Sequence, residues 1–308
     1  MTHLAVAVGQ VALPSPIVAA SGTAGHGAEL AAYGDLGELG AVTVKSLSAE
    51  PWPGNPAPRV HGAAGGAAML NSVGLQGPGV DAWRQHDLPA MLAAGARVVG
   101  SIWGRSVDDY AKAAAAMAGA DIVALEVNLS CPNLDGGRHL FAQSAPDTAA
   151  VVAAVVDAAG GVPVWAKLTA VTSSLVDVAA AAVDAGADTL TLINTLLGMV
   201  VDVETRRFAL GSGPGGGGLS GPAIHPVAVR SVHDVHLALP EVPIVGLGGV
   251  ATGVDAVELL LAGATAVGVG TATFADPRAC WRVARELATW CEDHGVERIA
   301  ELTGGAHG

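Results

Sequence analysis

The chain has 308 residues, of which 51% are hydrophobic, 4% aromatic and 14% charged, and its formal net charge is −13. This length and apolar content predict a folded chain with a substantial core and argue against disorder. The acidic balance, without a cluster of Lys and Arg, argues against nucleic-acid binding, and no apolar run reaches the ~18–20 residues of a membrane span.

A short hairpin is the first predicted element, since the segment 4–13 (LAVAVGQVAL) precedes the first of eight β-rich apolar runs. These runs are almost continuously apolar, which is typical of strands buried on both faces of a parallel sheet. They occupy residues 16–21, 41–46, 96–102, 122–130, 163–168, 189–195, 242–249 and 266–272.

Helical segments lie between these runs. Several begin with Ser, Thr, Asp or Pro and end on Gly, as helix termini do. The clearest are 80–94, 106–119, 146–160, 174–185, 225–239, 252–262 and 277–294.

The alternation of strands and helices predicts an α/β fold, a (β/α)8 TIM barrel in a single domain over residues 1–308. A doubly wound open sheet is the alternative, and we disfavour it because no GxGxxG follows the first strand. In a barrel, the N-terminal hairpin is expected to close the floor.

Two connections are too long for plain βα loops. One, residues 47–79, is rich in proline, and the other, residues 196–222, contains the tract GSGPGGGG, which predicts a mobile loop. Long connections that follow strands lie on the C-terminal face of a barrel, where active sites are built.

Polar residues and glycines stand at the C-terminal ends of the predicted strands. A ring of hydrogen-bonding groups above an apolar barrel predicts a small-molecule pocket, although any one of them alone could simply end a strand. The ring comprises Ser21, Lys45, Ser46, Ser101, Asn128, Ser130, Lys167, Asn194, Thr195, Gly248, Gly249, Gly270 and Thr271.

Lysine placement sharpens this prediction. Two of only three lysines, Lys45 and Lys167, interrupt apolar strands, whereas Lys112 lies on a helix. Because a buried ammonium loses hydration free energy, we expect both to face an anion or to act in chemistry. The alternative is a structural lysine whose ammonium reaches solvent along its aliphatic stem.

The glycine pairs of VGLGG and VGVGTA follow the seventh and eighth strands, where barrels often bind phosphate through backbone N–H groups. The alternative role of these glycines is to permit tight turns.

Three cysteines without a CxxC pattern argue against a disulfide framework and a zinc site and favour a cytoplasmic location. The ten histidines form no HxxH or HExxH pattern, so no metal site is expected. Cys280 and Cys291 lie on the last predicted helix and are expected to pack in the core. Cys131 lies in NLSCPN after the fourth strand; without a histidine at short spacing it fits a general base better than a Cys–His nucleophile.

The sequence resembles the class 1 dihydroorotate dehydrogenases, flavin-dependent barrels of pyrimidine biosynthesis, from about residue 16 to 277. Cysteine rather than serine in NLSCPN is similar to class 1 and not to the membrane-associated class 2. The GLQ after NSV and the GG after CPNLD resemble the NAD-linked 1B catalytic subunit more than the fumarate-linked 1A enzymes. The motifs that carry the resemblance are VTVKSLSAEPWPGNPAPR, MLNSVGLQGPG, NLSCPNLDGG, WAKLT, LINTLLGMVVDVETRR, GGLSGPAIHP, VGLGGV and GVGTATF.

The resemblance implies FMN over the barrel mouth, with Lys167 at the N1/O2 edge of the flavin and its phosphate on the glycine pairs and Thr271. It also implies that Cys131 removes the C5 proton of dihydroorotate while hydride passes from C6 to flavin N5. The implied FMN contacts are Ala20, Ser21, Gly22, Lys45, Ser46, Ser101, Asn128, Lys167, Ile193, Gly221, Gly248, Gly249, Gly270 and Thr271. The implied substrate contacts are Lys45, Asn71, Ser72, Val73, Gly74, Leu75, Asn128, Asn133, Asn194 and Thr195.

Partners are implied in the same way: a homodimeric core and a separate subunit that carries FAD and a [2Fe-2S] cluster and passes electrons to NAD. Three dispersed cysteines in this chain do not supply the ligands of such a cluster. The sequence departs from the family pattern at Ser101 and Gly77, where Asn is more usual, and in the length of GSGPGGGG.

We therefore expect FMN-dependent oxidation of (S)-dihydroorotate to orotate. The alternatives are a fumarate-linked 1A enzyme and a related flavin barrel that acts on another pyrimidine, like the uracil-reducing domain of dihydropyrimidine dehydrogenases. Outside flavin chemistry, a Schiff-base aldolase using Lys167 and a barrel that only binds its ligand are the further alternatives.

Overall fold

The computed structural model of the chain describes residues 2–130, 141–210 and 216–308. Within these ranges the strands are β1 (Val6–Val8), β2 (Val11–Leu13), β3 (Ile17–Ala19), β4 (Ala41–Thr43), β5 (Val60–Ala63), β6 (Ala68–Asn71), β7 (Val98–Ile102), β8 (Ala124–Asn128), β9 (Val164–Lys167), β10 (Thr189–Leu192), β11 (Leu196–Met199), β12 (Val201–Asp202), β13 (Arg207–Phe208), β14 (Gly216–Ser220), β15 (Ile244–Leu247) and β16 (Ala266–Val269). The α-helices are α1 (Val80–His86), α2 (Leu88–Ala93), α3 (Val107–Met117), α4 (Ala145–Ala158), α5 (Leu175–Asp184), α6 (His225–Ala238), α7 (Gly253–Leu261), α8 (Ala272–Ala275) and α9 (Ala279–Asp293).

Eight strands close into a parallel barrel, in the order β3, β4, β7, β8, β9, β10, β15 and β16. Each predicted apolar run contains one of these strands. The TIM barrel is therefore confirmed, and the open-sheet alternative is wrong.

Alternation along each strand places one side chain inside the barrel and the next against the surrounding helices. In β9, Val164 and Ala166 join the outer apolar cluster, which also contains Val151 and Val155 of α4. Trp165 belongs instead to the inner cluster near the barrel floor. Both faces are buried, which explains why these strands are apolar almost without interruption.

The N-terminal hairpin closes the floor of the barrel, as predicted. Strands β1 and β2 pair antiparallel, and Val8, Val11 and Leu13 are buried against the inner side chains at the starts of the barrel strands. These include Val18, Ala41, Val99, Ala124, Trp165, Val245 and Ala266.

The predicted helix over 80–94 is two helices, α1 and α2, which meet at Asp87. Pro89 stands in the first turn of α2. Proline has no N–H to donate to the carbonyl four residues back, and its ring crowds that carbonyl, so one continuous helix is disfavoured there.

The two long connections contain strands that the sequence analysis did not predict. Strands β11, β14, β6 and β5 form a four-stranded antiparallel sheet, which we call the roof sheet. Three glycines of GSGPGGGG, Gly216–Gly218, belong to β14; the rest of that tract, residues 211–215, lies outside the described residues. A Cβ on Gly218 would lie 2.3 Å from Oγ1 of Thr195, so glycine there permits the close approach of β14 to the chain leading into β11.

Among the described residues, no helix combines the length and the apolar character that crossing a bilayer requires.

The floor hairpin gives the first testable prediction. Leu13→Ala removes a fully buried side chain from the inner cluster and is expected to lower the free energy of unfolding by about 2–5 kcal/mol. Ala12→Ser, on the exposed face of the same strand, is the matched control and is expected to stay within about 0.5 kcal/mol. Urea titration of both variants measures this; an equal effect of the two would contradict the packing of the hairpin against the barrel.

Candidate functional site

A cavity of about 370 Å³ lies at the C-terminal end of the barrel, between the strand ends and the roof sheet. This is the face on which TIM barrels carry their active sites. Most of the residues predicted to form the site line it, namely Ala20, Ser21, Gly22, Lys45, Ser46, Asn71, Val73, Leu75, Asn128, Lys167, Ile193, Asn194, Thr195, Gly221, Gly248, Gly249, Gly270 and Thr271.

Three of the predicted cofactor and substrate contacts lie behind this lining rather than in it. Ser101 is fully buried beneath Ser46, and its Oγ lies 2.9 Å from the Ser46 Oγ. Ser72 is buried and accepts a hydrogen bond from the side-chain amide of Asn55 at 3.1 Å. Gly74 packs against the same Asn55. Cys131 and Asn133 lie outside the described residues.

A chain of hydrogen bonds joins the polar residues at the barrel mouth. Asn194 Nδ2 donates to Asn128 Oδ1 at 3.1 Å, and Asn128 Nδ2 donates to Ser46 Oγ at 3.0 Å. Asn194 Nδ2 also donates to Ser130 Oγ at 3.0 Å. Because the oxygen and nitrogen of each amide have different partners, the orientation of both amides is determined.

Among the described residues, one donor and one acceptor of this hydrogen-bond network remain for a ligand. The Asn128 oxygen accepts from Asn194 and from the Ser130 backbone N–H at 3.4 Å, so a single N–H of the Asn128 amide is left. Asn194 uses its N–H groups on Asn128 and Ser130, and its oxygen, which accepts from the Thr195 backbone at 2.9 Å, retains one lone pair. A donor and an acceptor side by side suit a planar heterocycle whose edge alternates acceptors and donors.

The sequence reasoning missed a buried acid below the cavity. Glu126 is 3% exposed, and its Oε1 lies 3.4 Å from the Nζ of Lys167, which is 4% exposed. The same oxygen accepts from Ser101 Oγ at 3.3 Å. The available signal was an acidic residue in the middle of an apolar strand, two positions before Asn128 and therefore on the same, inner face.

Lys45 crosses the cavity wall above Gly22. A Cβ on Gly22 would lie 3.2 Å from the Lys45 Nζ, so the absence of a side chain at Gly22 leaves room for the ammonium. Behind this wall, burial lowers the pKa of His26, and the positive charge of Lys45 lowers it further against the opposing effect of Asp87. A neutral His26 therefore leaves Lys45 as the cation that the described residues place on this side of the cavity.

A further cation that the sequence reasoning did not identify, Arg282, lines the far end of the cavity. It is held by Asp276 at 3.1 Å and Glu286 at 3.0 Å and donates to the Ala251 carbonyl at 2.9 Å. The hydrogen bonds of the two carboxylates raise the pKa of Arg282.

The turn after β15 is built from glycines in the left-handed region, Gly248 with φ +136° and Gly249 with φ +75°. The Gly248 carbonyl lies 2.8 Å from Nδ1 of His225, at the start of α6. Beside this turn, Gly270 has no positive φ, and a Cβ there would find its nearest atoms at 3.6 Å on Ala20 and 3.8 Å on Thr23. The backbone does not require glycine at this position, so the missing side chain leaves open wall for a bound group.

These features fit a flavin mononucleotide. Exposed backbone at the two glycine turns suits a phosphate, and a buried ammonium suits the electron-rich pyrimidine edge of the ring. Within the described residues no group of three His, Cys, Asp or Glu side chains forms a metal site.

Comparison with known proteins gives a consistent result. The sequence profile of a family described as dihydroorotate dehydrogenase matches residues 3–290. The chain is 46% identical over 304 residues to the "dihydroorotate dehydrogenase B (NAD(+)), catalytic subunit" of Desulforudis audaxviator, covering 98% of this chain and 97% of that protein. Proteins of the same name from Alkaliphilus oremlandii and Halalkalibacterium halodurans are each 43% identical, with 98% and 99% of both chains covered, respectively.

The glycine turn gives the second prediction. In Gly249→Ala, the new Cβ would lie 2.6 Å from the Cβ of His225 in addition to straining a positive φ. Gly119→Ala is the matched control, since its φ of +72° carries the same strain but no atom lies within 4 Å of the added Cβ. We expect the control to lose about 1 kcal/mol of unfolding free energy and Gly249→Ala to lose more. Equal losses in chemical denaturation would show that His225 yields without cost.

Proposed function

Since the chain belongs to the dihydroorotate dehydrogenase family, we propose that it oxidises (S)-dihydroorotate to orotate in pyrimidine biosynthesis, with FMN as its flavin. The observation that carries the proposal is the cavity itself: two lysines and an oriented pair of asparagines converge at the barrel mouth, in a chain that matches the family from residue 3 to residue 290.

The flavin is assigned to the cavity from its two ends. Backbone N–H groups at Gly248, Gly249, Gly270 and Thr271 would hold the phosphate, and Lys167 would lie at the pyrimidine edge of the ring. When bound, the flavin accepts hydride from the substrate and passes electrons on. The lysine supplies fixed positive charge where negative charge accumulates on reduction.

The substrate is assigned to the side of the cavity beneath the roof sheet. Asn128 offers an N–H and Asn194 an oxygen to the alternating edge of the pyrimidine ring, and Asn71 of β6 completes the amide set from above. The ammonium of Lys45 suits the substrate carboxylate. Because the amides are fixed by hydrogen bonds before the substrate arrives, little ordering remains to be done on binding.

Cys131 is proposed as the base that takes the C5 proton. Its position in NLSCPN supports this role, because Asn128 and Ser130 of the same motif belong to the hydrogen-bonded network of the cavity. Cys280 and Cys291 are unsuited to it, since both are buried in the outer core; burial raises the pKa of Cys280 to about 12.

The electrons are proposed to leave through a separate subunit that carries FAD and a [2Fe-2S] cluster and reduces NAD. The names of the relatives, which designate a catalytic subunit linked to NAD, support this assignment. We also propose a homodimeric core and a single FMN-binding domain over residues 1–308. We propose a cytoplasmic location as well, which is supported by three cysteines without a CxxC pattern.

A visible absorption spectrum tests the proposal directly. The purified protein is expected to be yellow, and anaerobic dihydroorotate is expected to bleach the flavin band within one turnover, because substrate electrons have no other destination. Dihydrouracil is the control substrate and separates this reaction from that of a related pyrimidine-acting barrel. A colourless protein in which borohydride traps a substrate on Lys167 would favour the aldolase instead.

The base is tested by Cys131→Ser. Loss of a positioned general base is expected to slow flavin reduction at neutral pH by about 10²–10⁴-fold while the protein remains yellow. Partial recovery at alkaline pH is expected, because the serine hydroxyl needs stronger base to lose its proton. Cys291→Ala, in the outer core, is the control and should keep wild-type flavin reduction. Full activity of Cys131→Ser at neutral pH would refute the assignment.

A further inference from the structure

Glu126 is the one buried charged group below the described part of the cavity that the proposed mechanism does not use. It points into the barrel from the middle of β8 and is 3% exposed, yet it does not line the cavity. A carboxylate out of contact with water costs free energy unless it is paired and hydrogen-bonded. Its position therefore calls for a role through its neighbours.

The first neighbour is Lys167, whose Nζ lies 3.4 Å from Glu126 Oε1. Register places the two strands so that Glu126 is opposite Trp165, with Lys167 one inward-facing position further along β9. The Lys167 side chain is thus held between the carboxylate below and the cavity above. The pair stabilises a buried ammonium that no water shell surrounds.

The second neighbour is Ser101, which makes Glu126 the end of a hydrogen-bond chain. Because a carboxylate can only accept hydrogen bonds, Ser101 donates its single hydroxyl proton to Glu126, at 3.3 Å. Ser46, 2.9 Å from Ser101, must then donate to it. Because the Ser46 hydroxyl donates its only proton to Ser101, it can only accept from Asn128. Asn128 accordingly turns its NH2 group toward Ser46.

The direction of this chain agrees with the orientation of Asn128 that the backbone also sets, since the Asn128 oxygen accepts from the Ser130 backbone N–H at 3.4 Å. With its NH2 group toward Ser46, Asn128 turns its oxygen to Asn194, whose amide is also held by the Thr195 backbone N–H and the Ser130 backbone carbonyl. A neutral group in place of the carboxylate, able both to donate and to accept, would permit Ser101 and Ser46 to exchange their donor and acceptor roles.

We propose that Glu126 is a positioning residue: its buried carboxylate holds the flavin-facing ammonium of Lys167 and, through Ser101, turns the lone pairs of Ser46 to the Asn128 amide that faces the substrate. The proposal rests on the proposed function, because it places flavin and dihydroorotate at these groups.

A double-mutant cycle on flavin-free protein tests the pair without reference to catalysis. Glu126→Gln is expected to lower the midpoint of urea unfolding, because it leaves the Lys167 ammonium buried without its counter-ion. In the Lys167→Met background the same substitution is expected to raise the midpoint, because there it removes an orphaned carboxylate. If the Glu126→Gln variant does not fold, the comparison of Lys167→Met with the double variant Glu126→Gln/Lys167→Met still shows whether the unfolding midpoint rises or falls. The same effect in both backgrounds would overturn the pairing.

The midpoint potential of the bound flavin tests the link to the cofactor. Removing the negative charge in Glu126→Gln is expected to favour the reduced flavin and to raise the potential above that of the wild type. Glu241→Gln, an exposed acid elsewhere, is the control and should leave the potential unchanged. An unchanged or lowered potential in Glu126→Gln overturns the positioning role while the proposed function stands; protein that binds no flavin overturns both.

Ser101→Ala separates the two tasks of the carboxylate. It interrupts the chain to Asn128 but leaves the pair with Lys167, so the potential should stay near the wild-type value. The KM for dihydroorotate is expected to rise by about tenfold, the loss of one well-placed hydrogen bond. A wild-type KM in Ser101→Ala would overturn the role of the chain in holding the Asn128 amide.

Discussion

The cavity depends on one constraint, which is that charge and hydrogen-bonding groups are buried inside a closed barrel. Lys167 and Glu126 are less than 5% exposed, so water cannot stabilise either of them. Each must find its partner on a neighbouring strand, and the register of β8 and β9 places that partner. The barrel therefore fixes the distances between these polar groups, and their hydrogen bonds and ion pair form only while those distances are kept.

The roof sheet imposes a second geometric condition. It brings Asn71 of β6 and Ser220 of β14 over the barrel mouth, although the two segments are about 150 positions apart in the chain. Glycines of β14 make this possible, because the strand passes too close to Thr195 for any side chain at Gly218. Long-range pairing closes the cavity from above, while the local βα units build it from below.

The sequence predicted those features that depend on residues close together in the chain. Strands buried on both faces are apolar throughout, so all eight could be recognised, and two rare lysines in such strands pointed to the site. The roof sheet could not be recognised, because its pairing is non-local and β14 begins with three glycines, which have little strand preference. Glu126 was missed for a different reason: an acid inside an apolar strand is a signal, but its ion-pair partner Lys167 lies 41 positions away and only the fold brings the two together.

The departure at Ser101 follows from the same network. A longer amide at this position, which the family resemblance leads one to expect, would extend toward the cavity. Serine instead stays beneath Ser46, and its hydroxyl passes the influence of Glu126 upward through a single proton. Ser46, in front of Ser101, both lines the cavity and accepts from Asn128. Substitutions at this strand end are therefore coupled: a change of Ser101 alters the hydrogen bonding of Ser46, the partner of Asn128, without touching the cavity.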